Sequence, residues 1–275
     1  MAAAGRFADL RQRVISGVVL GAGALALLWG GGHFAAALIA GLAGVMAWEW
    51  RAMTRAPERP SPLDALPAVA ALAGAVVVAH VAGYALAAAW LAAGLAVAAA
   101  GDVSARRPVI GAWLFAGGIY IGTACLAFLA LRGFEPFGLM TTLWVILVVA
   151  ASDIGGYFGG RLVGGAKLWP TVSPKKTWAG LAGGVALAFA LGGLFSWATT
   201  GTYFEEVCTV SALAALLAQA GDLAESAAKR HFGVKDSGTL IPGHGGALDR
   251  LDGLLAATLV AAAVTFWRGQ TVFIW

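Results

Sequence analysis

The residues best equipped for chemistry lie in one stretch, 219–253, which reads QAGDLAESAAKRHFGVKDSGTLIPGHGGALDRLDG. If its first part is helical, Asp222, Glu225, Ser226, Lys229 and Arg230 follow at spacings of three and four and share one side of the helix. Acids and cations inside an apolar helix are costly unless they face a polar cavity or one another. Glu225 and Lys229 could simply pair at i,i+4, whereas Asp222 lies deeper in the apolar run and is a functional candidate. A loop with Lys235 and Asp236 follows, then the glycine-rich PGHGG, whose backbone could approach a phosphate. Asp249, Arg250 and Asp252 open the last apolar segment, with the two acids three residues apart on a first helical turn. Carboxylates on two helices suit a hard cation such as Mg²⁺, which takes one or two carboxylates together with substrate phosphates. The four histidines, at 33, 80, 231 and 244, have no ligand spacing, and Cys125 and Cys208 read as buried thiols, so zinc is not indicated.

A second group lies upstream. Ser152 and Asp153 precede GGYFGGRLVGG, and SPKKTWAG begins at Ser173. Gly155 with Gly159, and Gly156 with Gly160, have the small-xxx-small spacing of tightly packed membrane helices. Asp153 either faces substrate or packs as a polar group. Lys175 and Lys176 either set topology and meet anionic headgroups or hold phosphate, and physics alone leaves both readings open.

The run 226–252 resembles the signature of the phosphatidate cytidylyltransferase (CDP-diacylglycerol synthase) family. Ser226, Lys229, Arg230, Lys235, Asp236, Pro242, His244, Gly245, Gly246, Asp249, Arg250 and Asp252 stand at the family spacing. Gln219-x-Gly221-Asp222 and SPKKTWAG are similar to family features, while Ala228 and Ala247 replace larger apolar residues at packing positions. The resemblance implies transfer of the cytidylyl group of CTP to phosphatidate, giving CDP-diacylglycerol and pyrophosphate with Mg²⁺. It implies Asp222 and Asp249 as metal ligands, with a monovalent K⁺ nearby, and catalytic roles for Asp222, Asp249, Lys229 and Asp252. Ser226, Arg230, Lys235, His244, Arg250, Lys175 and Lys176 are the expected contacts to substrate phosphates. The nucleophile would be an anionic lipid phosphate oxygen, so no strong general base is required. An ion-coupled transporter, or a CTP-dependent kinase of the polyprenol or phytol type, is the alternative.

The elements that must position these residues are membrane spans. Of the 275 residues 60% are hydrophobic and only 12% charged, with a mean hydropathy of +0.82. That is about half the roughly 25% charge of soluble domains. Segments long enough for a hydrocarbon core of about 30 Å occur near 14–30, 33–50, 65–81, 84–101, 109–131, 138–158, 178–198, 207–225 and 252–267. The segment 85–100 is alanine-rich, and a re-entrant helix is conceivable there. The expected fold is an all-α polytopic membrane domain of about nine spans occupying 1–275, with 1–150 mainly scaffold and 151–267 carrying the catalytic helices and cytoplasmic loops. The basic N-terminus resembles a signal peptide but is read as a retained first span. With the N-terminus inside, all but Arg132 and Arg268 of the 18 Lys and Arg residues fall on the cytoplasmic side, giving N-in, C-out topology. The net charge of +4 therefore reflects topology and not nucleic-acid binding. The protein is expected in the cell (inner) membrane as a multi-pass protein, with its site at the cytoplasmic face, among membrane lipids, and as a homodimer.

Overall fold

The computed structural model describes residues 2–56, 61–238, 240 and 245–274, with side chains from Ser16 onward except at Pro62. Nine α-helices occur among the described residues: α1 (Ala2–Gly30), α2 (Gly32–Thr54), α3 (Leu66–Ala82, led by the 3-10 turn Pro62–Ala65), α4 (Tyr84–Ser104), α5 (Pro108–Arg132), α6 (Gly138–Leu162), α7 (Trp178–Thr199), α8 (Phe204–His231) and α9 (Leu248–Arg268). Eight helices are long and apolar enough to cross a membrane, and Ser16–Gly30 adds a shorter apolar one. The chain is an all-α polytopic membrane protein, with every expected segment inside a helix. The alanine-rich segment is a continuous 21-residue helix, α4. One feature departs from all-α: Lys167–Trp169 (β1) and Ser173–Thr177 (β2) form a small antiparallel hairpin between α6 and α7.

The chain divides into two compact units, 1–126 with 232–250, and 127–231 with 251–275. In the first, Gly31 and Gly83 adopt positive φ and reverse the chain between α1 and α2 and between α3 and α4. Small residues let the helices approach: a Cβ on Gly94 would lie 2.8 Å from the Cβ of Ala71. This unit also holds buried charges. Arg51 of α2 grips Asp102 of α4 with both terminal nitrogens, at 2.5 and 3.0 Å. Arg55 reaches the same carboxylate at 3.4 Å and bonds Asp64 at 3.0 Å. Asp102 is wholly buried, so its charge depends on such partners. His33 and His80 also meet, with ring nitrogens 2.7 Å apart, a pairing between α2 and α3 that their sequence spacing does not reveal.

In the second unit, α6 and α7 pack through glycine. A Cβ on Gly159 would stand 2.7 Å from the carbonyl oxygen of Ala179, and one on Gly180 would stand 2.9 Å from that of Gly156. Gly155 and Gly183 meet backbone to backbone in the same way. This is the packing role expected for the small-xxx-small spacing. Below it, Trp144, Val148, Ala188, Ala214, Ala257 and Phe273 form a closed core. Trp144 donates to the Ser211 hydroxyl at 2.9 Å, satisfying its buried N–H. Cys125 and Cys208 are free and buried, as expected.

Removing one partner of a buried ion pair leaves an uncompensated charge, at a cost of about 3–5 kcal/mol. Asp102→Ala should therefore lower the thermal unfolding temperature of the detergent-solubilised protein far more than Asp64→Ala, whose carboxylate is partly exposed. Equal shifts for the two would show that the Arg51–Asp102 pair is not the main fastening between α2 and α4.

Candidate active site

Helical periodicity places Asp153, Gly156, Tyr157, Gly160 and Arg161 along one side of α6, and Gln219 with Asp222 on α8. β2 contributes Lys175, Lys176 and Thr177, and α7 contributes Gly180 and Leu181. Together with Leu168 these residues line a cavity of about 400 Å³ lying wholly within the second unit. Its polar end is tightly wired. The Lys176 ammonium lies 2.7 Å from an Asp222 carboxylate oxygen and donates to the Gln219 carbonyl at 3.3 Å. The Gln219 amide donates to the Ser152 hydroxyl at 3.1 Å and reaches Asp153 at 3.5 Å. Ser226 donates to Asp222 at 3.3 Å. Arg161 donates to the Tyr157 hydroxyl, with its guanidinium 5.7 Å from that ring's centre.

Local folding explains this convergence. The Thr177 hydroxyl accepts from the Gly180 N–H at 3.0 Å and caps α7, so β2 ends where the helix begins. The Lys175–Lys176 pair is thereby held at the helix entrance. The glycines of α6 divide by face: Gly155 and Gly159 pack on α7, whereas Gly156 and Gly160 line the cavity. A Cβ at Gly160 would come within 3.2 Å of the Thr177 hydroxyl.

Further along α8, Glu225 and Lys229 form the i,i+4 pair at 3.2 Å, with both side chains largely buried. Asp252 of α9 lies beside Glu225 and within the fields of Asp222 and Lys229. Asp252 also accepts from the Gly253 N–H at 2.6 Å. Asp222, Ser226, Lys229 and Asp252 thus occupy one polar region of this unit, and Arg230 beside them is exposed.

The first unit holds the other part of the signature. Asp249 accepts the Ser237 N–H at 2.9 and 3.1 Å and the Gly246 N–H at 3.0 Å, folding the loop back on the start of α9. Glu49, a buried acid of α2, accepts from the N–H groups of Ala247 at 2.9 Å and Leu248 at 2.8 Å and from the Ser237 hydroxyl at 3.3 Å. These are first-turn amides of α9 and its approach, which lack intrahelical acceptors. The loop glycines follow from this carboxylate: a Cβ would lie 2.8 Å from Glu49 at Gly238 and 2.7 Å from it at Gly246. Lys235 and Arg250 are exposed, and His244 lies outside the described residues. Glu49 holds the loop that carries part of the signature, a role the sequence pattern does not assign. Its signal, an acid inside an apolar span, is the one that singled out Asp222.

No group of three or more His, Cys, Asp or Glu suited to a metal occurs among the described residues.

The cytidylyltransferase family model matches residues 11–267. The chain belongs to that family. The match takes in both halves of the signature, the SPKKTWAG hairpin and Glu49. Similar proteins include the phosphatidate cytidylyltransferases of Brucella suis biovar 1 (strain 1330), 49% identical over 145 residues, covering 53% of this chain and 54% of the relative. That of Helicobacter pylori (strain ATCC 700392 / 26695) is 42% identical over 154 residues, covering 54% and 58%. That of Bacillus subtilis (strain 168) is 41% identical over 138 residues, covering 50% and 51%. The chain thus spans about half the length of the curated relatives it matches.

Truncating Glu49 would leave the Ala247 and Leu248 amides and the Ser237 hydroxyl without their acceptor, each unsatisfied group costing about 1–3 kcal/mol. Hydrogen exchange at Ala247 and Leu248 should accelerate in Glu49→Ala while the exchange of α6 amides is unaltered. Unchanged protection at those two positions would show that the carboxylate does not hold the loop.

Proposed function

We propose that this protein transfers the cytidylyl group of CTP to phosphatidate, forming CDP-diacylglycerol and releasing pyrophosphate. The observation that carries the reading is the cavity in which Asp153 and Asp222 face Lys175, Lys176 and Arg161. The similar proteins are phosphatidate cytidylyltransferases, which supports this reaction, and the cavity has the charge pattern it needs. Several fixed cations suit two anionic substrates, while the acids accept a cation. The Lys176 ammonium already sits 2.7 Å from Asp222, in the place a positive ion would take.

In this reaction a phosphate oxygen of phosphatidate attacks the α-phosphorus of CTP in line. A new phosphorus–oxygen bond forms, the bond to the β-phosphate bridge breaks, and pyrophosphate leaves with the electron pair. The nucleophile is already anionic, so the protein has no proton to remove, and its work is positioning and charge stabilisation. Lys175 and Lys176 hold phosphate at the entrance of α7, and Arg161 extends the positive wall. Lys229 is oriented by Glu225 and offsets the acids on α8 and α9. Ser226, Arg230, Lys235, His244 and Arg250 complete the proposed phosphate contacts. We further propose Asp222 and Asp249, each within its own unit, as metal ligands, with Mg²⁺ as the divalent ion and K⁺ as a second cation. When bound, Mg²⁺ supplies neutralisation of the triphosphate and of the departing pyrophosphate. Asp252 tunes the same polar region through Glu225. We further propose a cell-membrane location and a cytoplasm-facing site, supported by the charge asymmetry of the loops, and a homodimer, as the family resemblance implies.

Purified protein in detergent, given CTP labelled in the cytidine, phosphatidate and Mg²⁺, should form labelled lipid with equimolar pyrophosphate. Release of CDP with phosphorylated lipid would identify a kinase instead, and solute flux without CTP consumption a transporter. Asp222→Asn and Asp249→Asn should each reduce kcat by at least about 100-fold, the scale for losing one transition-state stabilising group. Both should retain the unfolding temperature to within a few degrees of wild type. Glu225→Gln should be milder, and full activity in either Asp variant would remove the metal assignment.

A further inference from the structure

The polar cavity does not end at its charged wall. Leu181 also lines an apolar groove of about 580 Å³, formed by Trp178, Ala182, Val185, Ala186 and Phe189 of α7 with Leu216 of α8. All of these residues belong to the second unit. On α7 the two faces are sharply distinguished: Gly180, Gly184 and Ala188 are buried, and Ala182, Ala186 and Phe189 are exposed. Trp178, Ala182, Ala186 and Phe189 follow one stripe of α7, so the small Ala182 and Ala186 leave a hollow floor between two aromatic side chains, with Leu216 of α8 lining it as well. A strip of small residues between large ones is therefore a channel, not a flat lipid-facing surface.

Its dimensions and charge select an occupant. From Trp178 to Phe189 the helix rises about 16 Å at about 1.5 Å per residue, close to the roughly 15 Å depth of one leaflet of hydrocarbon. Trp178, half-exposed at the start of α7, stands where aromatic side chains mark the membrane interface. Just beyond it lie Lys175 and Lys176, at the mouth of the cavity. An anionic head beside the lysines and an acyl chain along the alanines is the geometry of a phosphate-headed diacyl lipid. We infer that the α7–α8 groove is the acyl-chain subsite through which the lipid substrate enters, with Leu181 as the point where chain gives way to headgroup. This rests on the proposed cytidylyl transfer and adds where the lipid lies.

Two measurements test it. Ala182→Trp and Ala186→Trp fill the floor with side chains that project into the groove, away from the glycine packing. In each, the ratio of kcat/KM for dioleoyl phosphatidate to that for dihexanoyl phosphatidate should fall by roughly tenfold, equivalent to losing the burial of about two methylenes. An unchanged ratio overturns the inference. Independently, a phosphatidate bearing a diazirine at mid-chain, reconstituted with the full chain in nanodiscs, should label peptides containing Ala182 to Phe189 and Leu216. Excess unlabelled phosphatidate should suppress that labelling, and phosphatidylcholine should not. Equal suppression by both lipids would mean bulk lipid contact only, and cross-links between two chains at these positions would mean a protein interface. Either result overturns the inference. If no phosphatidate is turned over but the labelling remains phosphatidate-specific, the groove stands and the proposed reaction falls.

Discussion

Charge inside an apolar helix bundle must find a partner, and the arrangement of this protein follows from how each buried charge does so. A lone carboxylate or guanidinium among hydrocarbon is prohibitively costly, so each one draws helices or loops towards it. Asp102 draws Arg51 and Arg55 and thereby ties α4 to α2. Glu49 draws backbone amides from the loop before α9. Asp222 draws Lys176, which brings the β-hairpin onto α8. Glu225 draws Lys229 and Asp252. The same constraint yields both scaffold and site, because a charge satisfied by another protein charge is structure, and one poised beside a cavity is available to a ligand.

Glycine makes the second arrangement possible. Contact of α6 with α7 at backbone distance leaves no room for side chains at Gly155, Gly159 or Gly183. The residues one position along, Gly156 and Gly160, are left facing the cavity, where their lack of a side chain creates volume. The short hairpin then closes over this space, its final residue capping α7. A wider helix separation would carry Lys175 and Lys176 away from Asp222 and dissolve the concentration of charge on which the proposed phosphate chemistry depends.

Much of the architecture was legible along the chain. Each of the nine apolar segments lies in a helix among the described residues, because insertion into hydrocarbon depends on length and composition, which are local properties. The alignment of Asp222, Ser226 and Lys229 was legible because helical periodicity sets it. Glu49 was not, since its partners lie almost two hundred residues away, at Ala247 and Leu248. The His33–His80 contact was hidden for the same reason. The sequence leaves Lys175 and Lys176 open between topology and phosphate binding; the hairpin puts both on the cavity wall, and its strands are too short to leave a periodic pattern.

By itself the sequence determined which residues could carry charge, which segments had to be helices, and the spacing of the signature from Ser226 to Asp252. Those are set by covalent order, helical repeat and transfer energies, none of which needs distant partners. The tertiary structure alone decided that Lys176 faces Asp222, that Glu49 holds the loop of Asp249, and that one face of α7 is packing while the other is a groove. These depend on which helices become neighbours, and that choice is made by close packing and by the pairing of buried charges across long stretches of chain.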